Sequence, residues 1–304
     1  MIQVHRLRLP LRVPLRTALG AIAERTVWLV RSGDGWGEAA PLPGYGGEPP
    51  ERCELALARA AAGTEPGPDT PCALAAVDGA RRDDAARRAG RPLAGSAGAV
   101  ACNRLATSDN EALGGGTVKL KSGGDAVADA ARIRSLLARE PGLRLRLDAN
   151  GAWDLAGAHA FARLAGALVD YVEQPLPAGD LASCAELRRA GLRVALDEGI
   201  RGQDDLARAI AAGACDVVVL KPNWLGGWVP TTALAAMARL AGLEVVLSSA
   251  LGSAVERAHA AHLALHLGLP GPHGLSTGGL LARDTGSFDA GRIDGPGLGF
   301  AVTP

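Results

Sequence analysis

The sequence predicts an α/β fold, a β/α barrel joined to a smaller α+β domain. Three observations carry this. From about Gly95 onward, short apolar segments alternate with Ala/Leu/Arg-rich helical ones, and such alternation implies a parallel sheet with helical crossovers. Eight apolar segments fall within about 180 residues, the economy of a closed barrel. Before Gly95 the rhythm differs, with strands and turns first and two helices after.

Residues 2–40 read as strands and turns. Val4, Arg6 and Arg8 alternate with His5, Leu7 and Leu9, and Thr26 to Arg31 is β-rich. The basic start (His5, Arg6, Arg8, Arg12, Arg16) has no apolar h-region and no cleavage-like site, so it reads as a strand and not as a transit peptide. Gly33-Asp34-Gly35-Trp36-Gly37 superficially matches a nucleotide-binding loop. No helix follows it and the glycine spacing is wrong, so a hairpin turn is expected. After a Pro/Gly loop from Pro41 to Pro50, helices are expected over Glu51–Ala62 and about Pro71–Ala89. The Gly-rich tail from Arg283 is expected to return to this first part. The domains are thus 1–94, completed by 283–304, and the barrel over 95–282.

The barrel segments are Val100–Leu105, Thr117–Lys121, Leu143–Leu147, Val169–Val172, Arg193–Leu196, Asp216–Leu220, Glu244–Leu247 and a weak one near His273–Leu275. Helices are expected between them over 124–139, 154–166, 180–190, 203–212, 227–241 and 253–267. A leucine-rich solenoid has a similar period, and Leu143-x-Leu145-x-Leu147-x-x-Asn150 fits its core pattern. That pattern occurs once only, whereas a solenoid needs it in every repeat.

Composition excludes several functions. Of 304 residues, 48% are apolar, enough for a sizeable core, and 32 basic residues balance 32 acidic ones. Balanced charge and 3% aromatics argue against nucleic acid as a partner. No apolar run reaches the ~18 residues of a membrane span. Cys53, Cys72, Cys102, Cys184 and Cys215 form no C-x-x-C pair, which points to a reducing, cytoplasmic setting. The sequence sets no oligomeric state, and a monomer is compatible with it.

Chemistry concentrates at the strand ends. Lys119 and Lys121 lie two apart in a short apolar run, so on a strand they share a face. Their mutual repulsion, with burial, is expected to lower a lysine pKa towards a usable base. At steps of about 24–27 residues, one β/α unit, follow Asp148, Glu173, Asp197 and Lys221. These are equivalent positions at the C-terminal mouth, where barrels build active sites. Three carboxylates converging there repel unless a cation holds them. Oxygen donors without Cys or His favour a hard divalent ion, Mg²⁺ first, with Mn²⁺ the alternative. Such an ion can clamp the carboxylate of a small-molecule substrate while a lysine removes the α-proton. Helix capping alone would explain one such carboxylate, but not a whole equivalent set.

The pattern resembles the enolase superfamily in its muconate-lactonizing-enzyme subgroup. The resemblance rests on the Lys119-x-Lys121 pair, Arg146-x-Asp148-Ala149-Asn150, Glu173-Gln174-Pro175, Asp197, Lys221, the Leu247-Ser248-Ser249-Ala250 segment and the Gly35-Trp36-Gly37-Glu38 turn. It implies a modified (β/α)7β TIM-like barrel with an α+β capping domain. It also implies that Asp148, Glu173 and Asp197 bind Mg²⁺ and that Lys121 abstracts the α-proton and then protonates a leaving hydroxyl. Lys221 would stabilise the dienolate from the opposite face, and Lys119 would tune Lys121. Arg146 and Asn150 would orient the metal carboxylates, Glu198 would stand behind Asp197, and Ser249 and Gly278 would contact substrate. The implied reaction is dehydration of 2-succinyl-6-hydroxy-2,4-cyclohexadiene-1-carboxylate. N-succinylamino acid racemisation, dipeptide epimerisation and cycloisomerisation use the same residues, so the segment 16–25 is expected to set specificity. More distant readings are a Schiff-base aldolase on Lys221 and a barrel without catalysis.

Three further features are weighed and not read as separate sites. His259, His262 and His266 share a helical face without an acidic partner and are expected on the surface. Gly278-Gly279 could bind phosphate, but a substrate carboxylate serves equally well. Trp153, Trp224 and Trp228 are expected to pack against helices.

Overall fold

The computed structural model describes residues 1–17, 20–106 and 114–304. Of the specificity segment 16–25, Ala18 and Leu19 lie outside the described residues, as do the side chains of Arg16 and Thr17. The chain divides into two compact units. Residues 1–102, 220–233 and 247–304 form the first, and residues 103–219 and 234–246 the second.

The first unit opens with an antiparallel sheet of β1 (Ile2–Thr17), β2 (Gly20–Ser32) and β3 (Gly35–Ala39), in chain order. The glycine-rich stretch is a hairpin turn, as expected, with Gly33 at φ +59°. Helices α1 (Pro50–Ala61) and α2 (Pro71–Arg88) follow. A Cβ on Gly35 would stand 2.1 Å from the Ala80 carbonyl oxygen, and one on Gly37 2.0 Å from that of Ala76. The two glycines therefore let the backbone of α2 lie directly on β3. Trp28, Val30, Leu57, Ala73, Ala76 and Val77 fill the core beneath. The tail returns to this unit: Asp83 accepts both Trp36 N (2.8 Å) and Leu298 N (2.7 Å), and Leu93 N donates to Gly297 O.

The same unit holds α8 (Ala254–His266). Its N-terminus is capped by Ser253 Oγ and by Glu38, which accepts Ser253 N at 2.9 Å and Glu256 N at 3.1 Å. A carboxyl group at that end meets otherwise unsatisfied N–H groups, which offset in part the burial that raises its pKa. The histidines of α8 correct the sequence reading. His262 is fully buried and accepts Ala94 N, and half-buried His259 meets Trp36 O at 2.8 Å. Burial holds both below the ordinary histidine pKa, His262 at about 4. Only His266 is exposed. The first-unit sheet covers this helix, a contact that no local pattern announces.

The second unit is built on strands β4 (Arg104–Leu105), β5 (Gly116–Lys121), β6 (Leu143–Asp148), β7 (Val169–Glu173), β8 (Val194–Leu196), β9 (Val217–Leu220) and β10 (Glu244–Leu247). They form one sheet in chain order, and the pairs from β4 to β9 are parallel. Between them run α3 (Ala126–Arg139), α4 (Leu155–Ala165), α5 (Leu181–Arg189), α6 (Gln203–Ala212) and α7 (Trp228–Leu240), of which residues 228–233 belong to the first unit. Asp125, Asp154 and Asp180 cap α3, α4 and α5 through their side chains. The fold is the expected TIM-like barrel with an antiparallel accessory sheet.

Two segments differ from expectation. The first strand shortens to Arg104–Leu105, because Val100 N bonds Ala290 O and Cys102 bridges His273. The eighth segment is a pair of parallel bridges, Cys102–His273 and Ser248–Gly274, and not a strand.

Strand alternation sorts the barrel side chains. Val118, Leu120, Leu145 and Leu147 are fully buried on one face. On the other face Tyr171, Ala195, Val217, Val219 and Val246 form one buried layer. Tyr171 precedes Glu173 by two residues and Ala195 precedes Asp197 by two, so this layer is the floor beneath the strand-end carboxylates.

Candidate active site

The ladder register places the candidates. Lys121 is the partner of Asp148, and Asp148 in turn of Glu173. Asp197 follows directly after β8, whose Ala195 pairs with Glu173. The spacing of one β/α unit therefore does bring these side chains to neighbouring strand ends.

Lys119 Nζ lies 2.8 Å from Asp148 Oδ2 and 2.7 Å from Glu173 Oε1. Lys121 Nζ donates to Asp148 Oδ2 and to Asn150 Oδ1, both at 2.7 Å. Burial works against charge on Lys119, but Asp148, Glu173 and Asp197 outweigh it and hold its pKa well above the ordinary lysine value. The expected lowering by like charge is thus reversed for Lys119, because three carboxylates surround it. Asp148 is also buried, yet Lys119 and Lys121 hold it below the usual carboxylate range. The lysines differ in access: the side chain of Lys119 is 12% exposed and that of Lys121 31%. Lys121, nearer the strand end, is the more accessible of the two.

Asn150 occupies the left-handed region at φ +47°, uncommon outside glycine but tolerated by asparagine. Its N–H donates to Asp148 Oδ1 at 3.1 Å and its Nδ2 to Glu198 Oε1 at 2.7 Å. It therefore links Lys121, Asp148 and Glu198. Arg146 is fully buried one layer down. It donates to Asp170 (2.9 Å) and Asn103 (3.2 Å) and lies 4.6 Å over the Tyr171 ring.

In the first unit, Lys221 directly follows β9, and its Nζ lies 4.7 Å from the Trp224 ring. Ser249 Oγ meets Thr277 Oγ1 at 2.8 Å, next in sequence to Gly278, so these two candidates come together. Trp153 stacks on Phe161 as expected of a packing residue. Trp224, by contrast, also donates to Ala40 O at 3.1 Å. Sequence reasoning missed Asn223, whose carboxamide binds Ala40 N (2.9 Å) and Glu38 O (2.7 Å) and so anchors the Lys221 loop. It also missed Gln174, although the residue stood beside Glu173 in plain view.

Among the described residues, no group of three or more His, Cys, Asp or Glu side chains converges as a ready-made metal cage; lysines bridge the carboxylates instead. The donor chemistry nevertheless fits a hard cation. Asp148 and Glu173 gather around Lys119 with Asp197 close enough to act on its charge, a set of carboxylate oxygens of the kind that holds a hard divalent ion.

The structure is thus a parallel β/α barrel with lysines and carboxylates at successive strand ends, the face on which such barrels build their active sites. The family model described as "Enolase C-terminal domain-like" matches residues 102–304. An o-succinylbenzoate synthase from Thermobifida fusca is 36% identical over 279 residues, covering 90% of this chain and 80% of that protein. One from Mycobacterium marinum is 34% identical over 293 residues, covering 93% and 80%. The solved dipeptide epimerase from Methylococcus capsulatus, complexed with Mg and the dipeptide L-Arg-D-Lys, superposes with a TM-score of 0.87. It is 28% identical, with 99% of each chain covered. The chain belongs to the enolase superfamily, and it is an enzyme of the lyase class.

Proposed function

We propose that the chain catalyses the Mg²⁺-dependent dehydration of 2-succinyl-6-hydroxy-2,4-cyclohexadiene-1-carboxylate to o-succinylbenzoate, a step of menaquinone biosynthesis. The observation that carries this reading is the pairing of Lys121 with Asp148 and Asn150 at one strand end. The likeness to two o-succinylbenzoate synthases over about nine-tenths of the chain supports the choice of substrate.

In this reading Lys121, in its neutral form, takes the proton from the carbon next to the substrate carboxylate. The C–H electron pair enters the ring π system, the ring C–O bond breaks, and Lys121 returns its proton to the departing hydroxyl. Water leaves and the ring becomes aromatic, with no change of oxidation state that needs a second reactant. Mg²⁺ held by Asp148, Glu173 and Asp197 would supply a positive charge against the substrate carboxylate. Lys119 offsets the charge of Asp148 and Glu173 next to the base. Asn150 holds Lys121 in line, and Lys221 is assigned to the delocalised anion. Ser249 and Gly278 are assigned to substrate contacts. Residues 1–94 with 283–304 are read as the capping domain and 95–282 as the catalytic barrel, in a cytoplasmic enzyme.

One observation favours a second reading. The likeness to the Methylococcus dipeptide epimerase spans both chains almost completely, and two lysines suit 1,1-proton transfer as well as dehydration. Turnover of the cyclohexadiene carboxylate before and after chelation, with Mg²⁺ and Mn²⁺ added back, tests the first reading. Turnover that survives complete chelation removes it.

A further inference from the structure

We propose that Gln174 is a positioning residue that sets where Asp197 stands relative to Asp148 and Glu173. The inference rests on the reading of Asp197 as a metal ligand.

Gln174 is the first residue after β7, is 1% exposed, and sits at φ +41°. A left-handed backbone at a non-glycine residue costs on the order of 1 kcal/mol or more and persists only where the surroundings fix it. Five hydrogen bonds do so. Its N–H donates to Ala195 O at 2.8 Å, and its carbonyl accepts Gly151 N at 2.7 Å. Its Oε1 accepts Asp197 N at 3.1 Å and Gly199 N at 3.3 Å, and its Nε2 donates to Leu176 O at 2.9 Å. One residue therefore ties together the strand ends that carry Asp148, Glu173 and Asp197.

The bond to Asp197 is the informative one. The β7–β8 ladder ends at the Glu173–Ala195 pair, and β8 itself ends at Leu196. The N–H of Asp197 is therefore past the regular ladder, and the acceptor it finds is a side-chain carboxamide. Gln174 Oε1 takes the place of a neighbouring strand's carbonyl and carries the sheet one residue further. Asp197 is itself buried, so without this acceptor its N–H would lose a partner where water is scarce. The chain from 197 to 199 would then lose its side-chain tie to the end of β7.

The test is Mg²⁺ titration calorimetry on the full-length wild type, Gln174→Leu, Gln174→Gly and Asp197→Asn, with circular dichroism to verify the fold. Gln174→Gly removes the carboxamide while relieving the left-handed backbone, so it covers the case in which Gln174→Leu fails to fold. Loss of a residue that orients a metal ligand costs about 10- to 100-fold in metal affinity, and at least tenfold is expected of a folded Gln174 variant, with kcat falling alongside. Mg²⁺ affinity within twofold of wild type in a folded Gln174 variant, beside a weakened Asp197→Asn, overturns the inference and leaves the functional reading intact. Unchanged affinity in Asp197→Asn overturns both.

Discussion

Lys121 and Asp148 are register partners on β5 and β6, and their side chains meet at 2.7 Å at the strand ends. A carboxylate paired this way keeps the lysine nitrogen in place, and Asn150 holds it from a second side. In the proposed reading, a side chain held by these two acceptors and partly open to solvent is the base that serves one face of the substrate.

Removing that base gives the first prediction. Lys121→Ala is expected to lower kcat by about 10²- to 10⁴-fold, the contribution typical of a positioned general base. Circular dichroism and thermal melting should match wild type, because the side chain is one-third exposed. Full turnover in a folded Lys121→Ala protein would remove it from the mechanism.

Metal removal separates the leading chemistry from an aldolase. EDTA is expected to abolish turnover and Mg²⁺ to restore it, while borohydride with substrate leaves no adduct on Lys221. An adduct found there by peptide mass spectrometry, together with EDTA resistance, would favour Schiff-base chemistry.

Asn223→Ala tests the anchoring of the Lys221 loop. The buried carboxamide satisfies Ala40 N and Glu38 O, and removing it strands both. The expected cost is about 2–3 kcal/mol in urea unfolding, since a buried group left without its partner loses about 1–3 kcal/mol. A cost under ~0.5 kcal/mol, the ordinary range for surface substitutions, would show that the bonds contribute little.

The pH dependence of stability should carry the mark of Glu256. Burial, with Glu38 beside it, raises its pKa from 4.5 to about 8. Its Oε2 has no hydrogen-bond partner among the described residues. A carboxyl whose folded pKa is raised favours folding while protonated. That contribution is complete below the unfolded value near 4.5 and is lost as pH rises through about 8. Glu256→Gln, which cannot ionise, should therefore gain in Tm relative to wild type as pH rises from 4.5 to 8. A Tm difference that stays flat across this range would contradict the assignment.

Much of the barrel and its site could be read from residues alone. Lys119, Lys121, Asp148 and Glu173 were legible because strand alternation and the length of one β/α unit are local rules, and the ladder obeys them. What escaped depends on contacts distant in sequence or on backbone geometry. Arg146 shares a face with Asp148, but it lies one layer lower and its bonds go to Asp170 and Asn103. His259 and His262 looked like an outer face until Trp36 and Ala94 met them from the far end of the chain. Gln174 acts through a left-handed turn that nothing in Glu173-Gln174-Pro175 announces. The like-charge argument failed for Lys119 because the carboxylates that surround it come from other strands.

The most direct test of the central claim compares kcat/KM for two substrate classes with the purified protein and Mg²⁺. One is 2-succinyl-6-hydroxy-2,4-cyclohexadiene-1-carboxylate, and the other is a panel of N-succinylamino acids and dipeptides. The account predicts that the cyclohexadiene carboxylate is preferred by at least about 100-fold, a transition-state preference of roughly 2.7 kcal/mol. A higher kcat/KM for any N-succinylamino acid or dipeptide would contradict it and make the chain a racemase or epimerase.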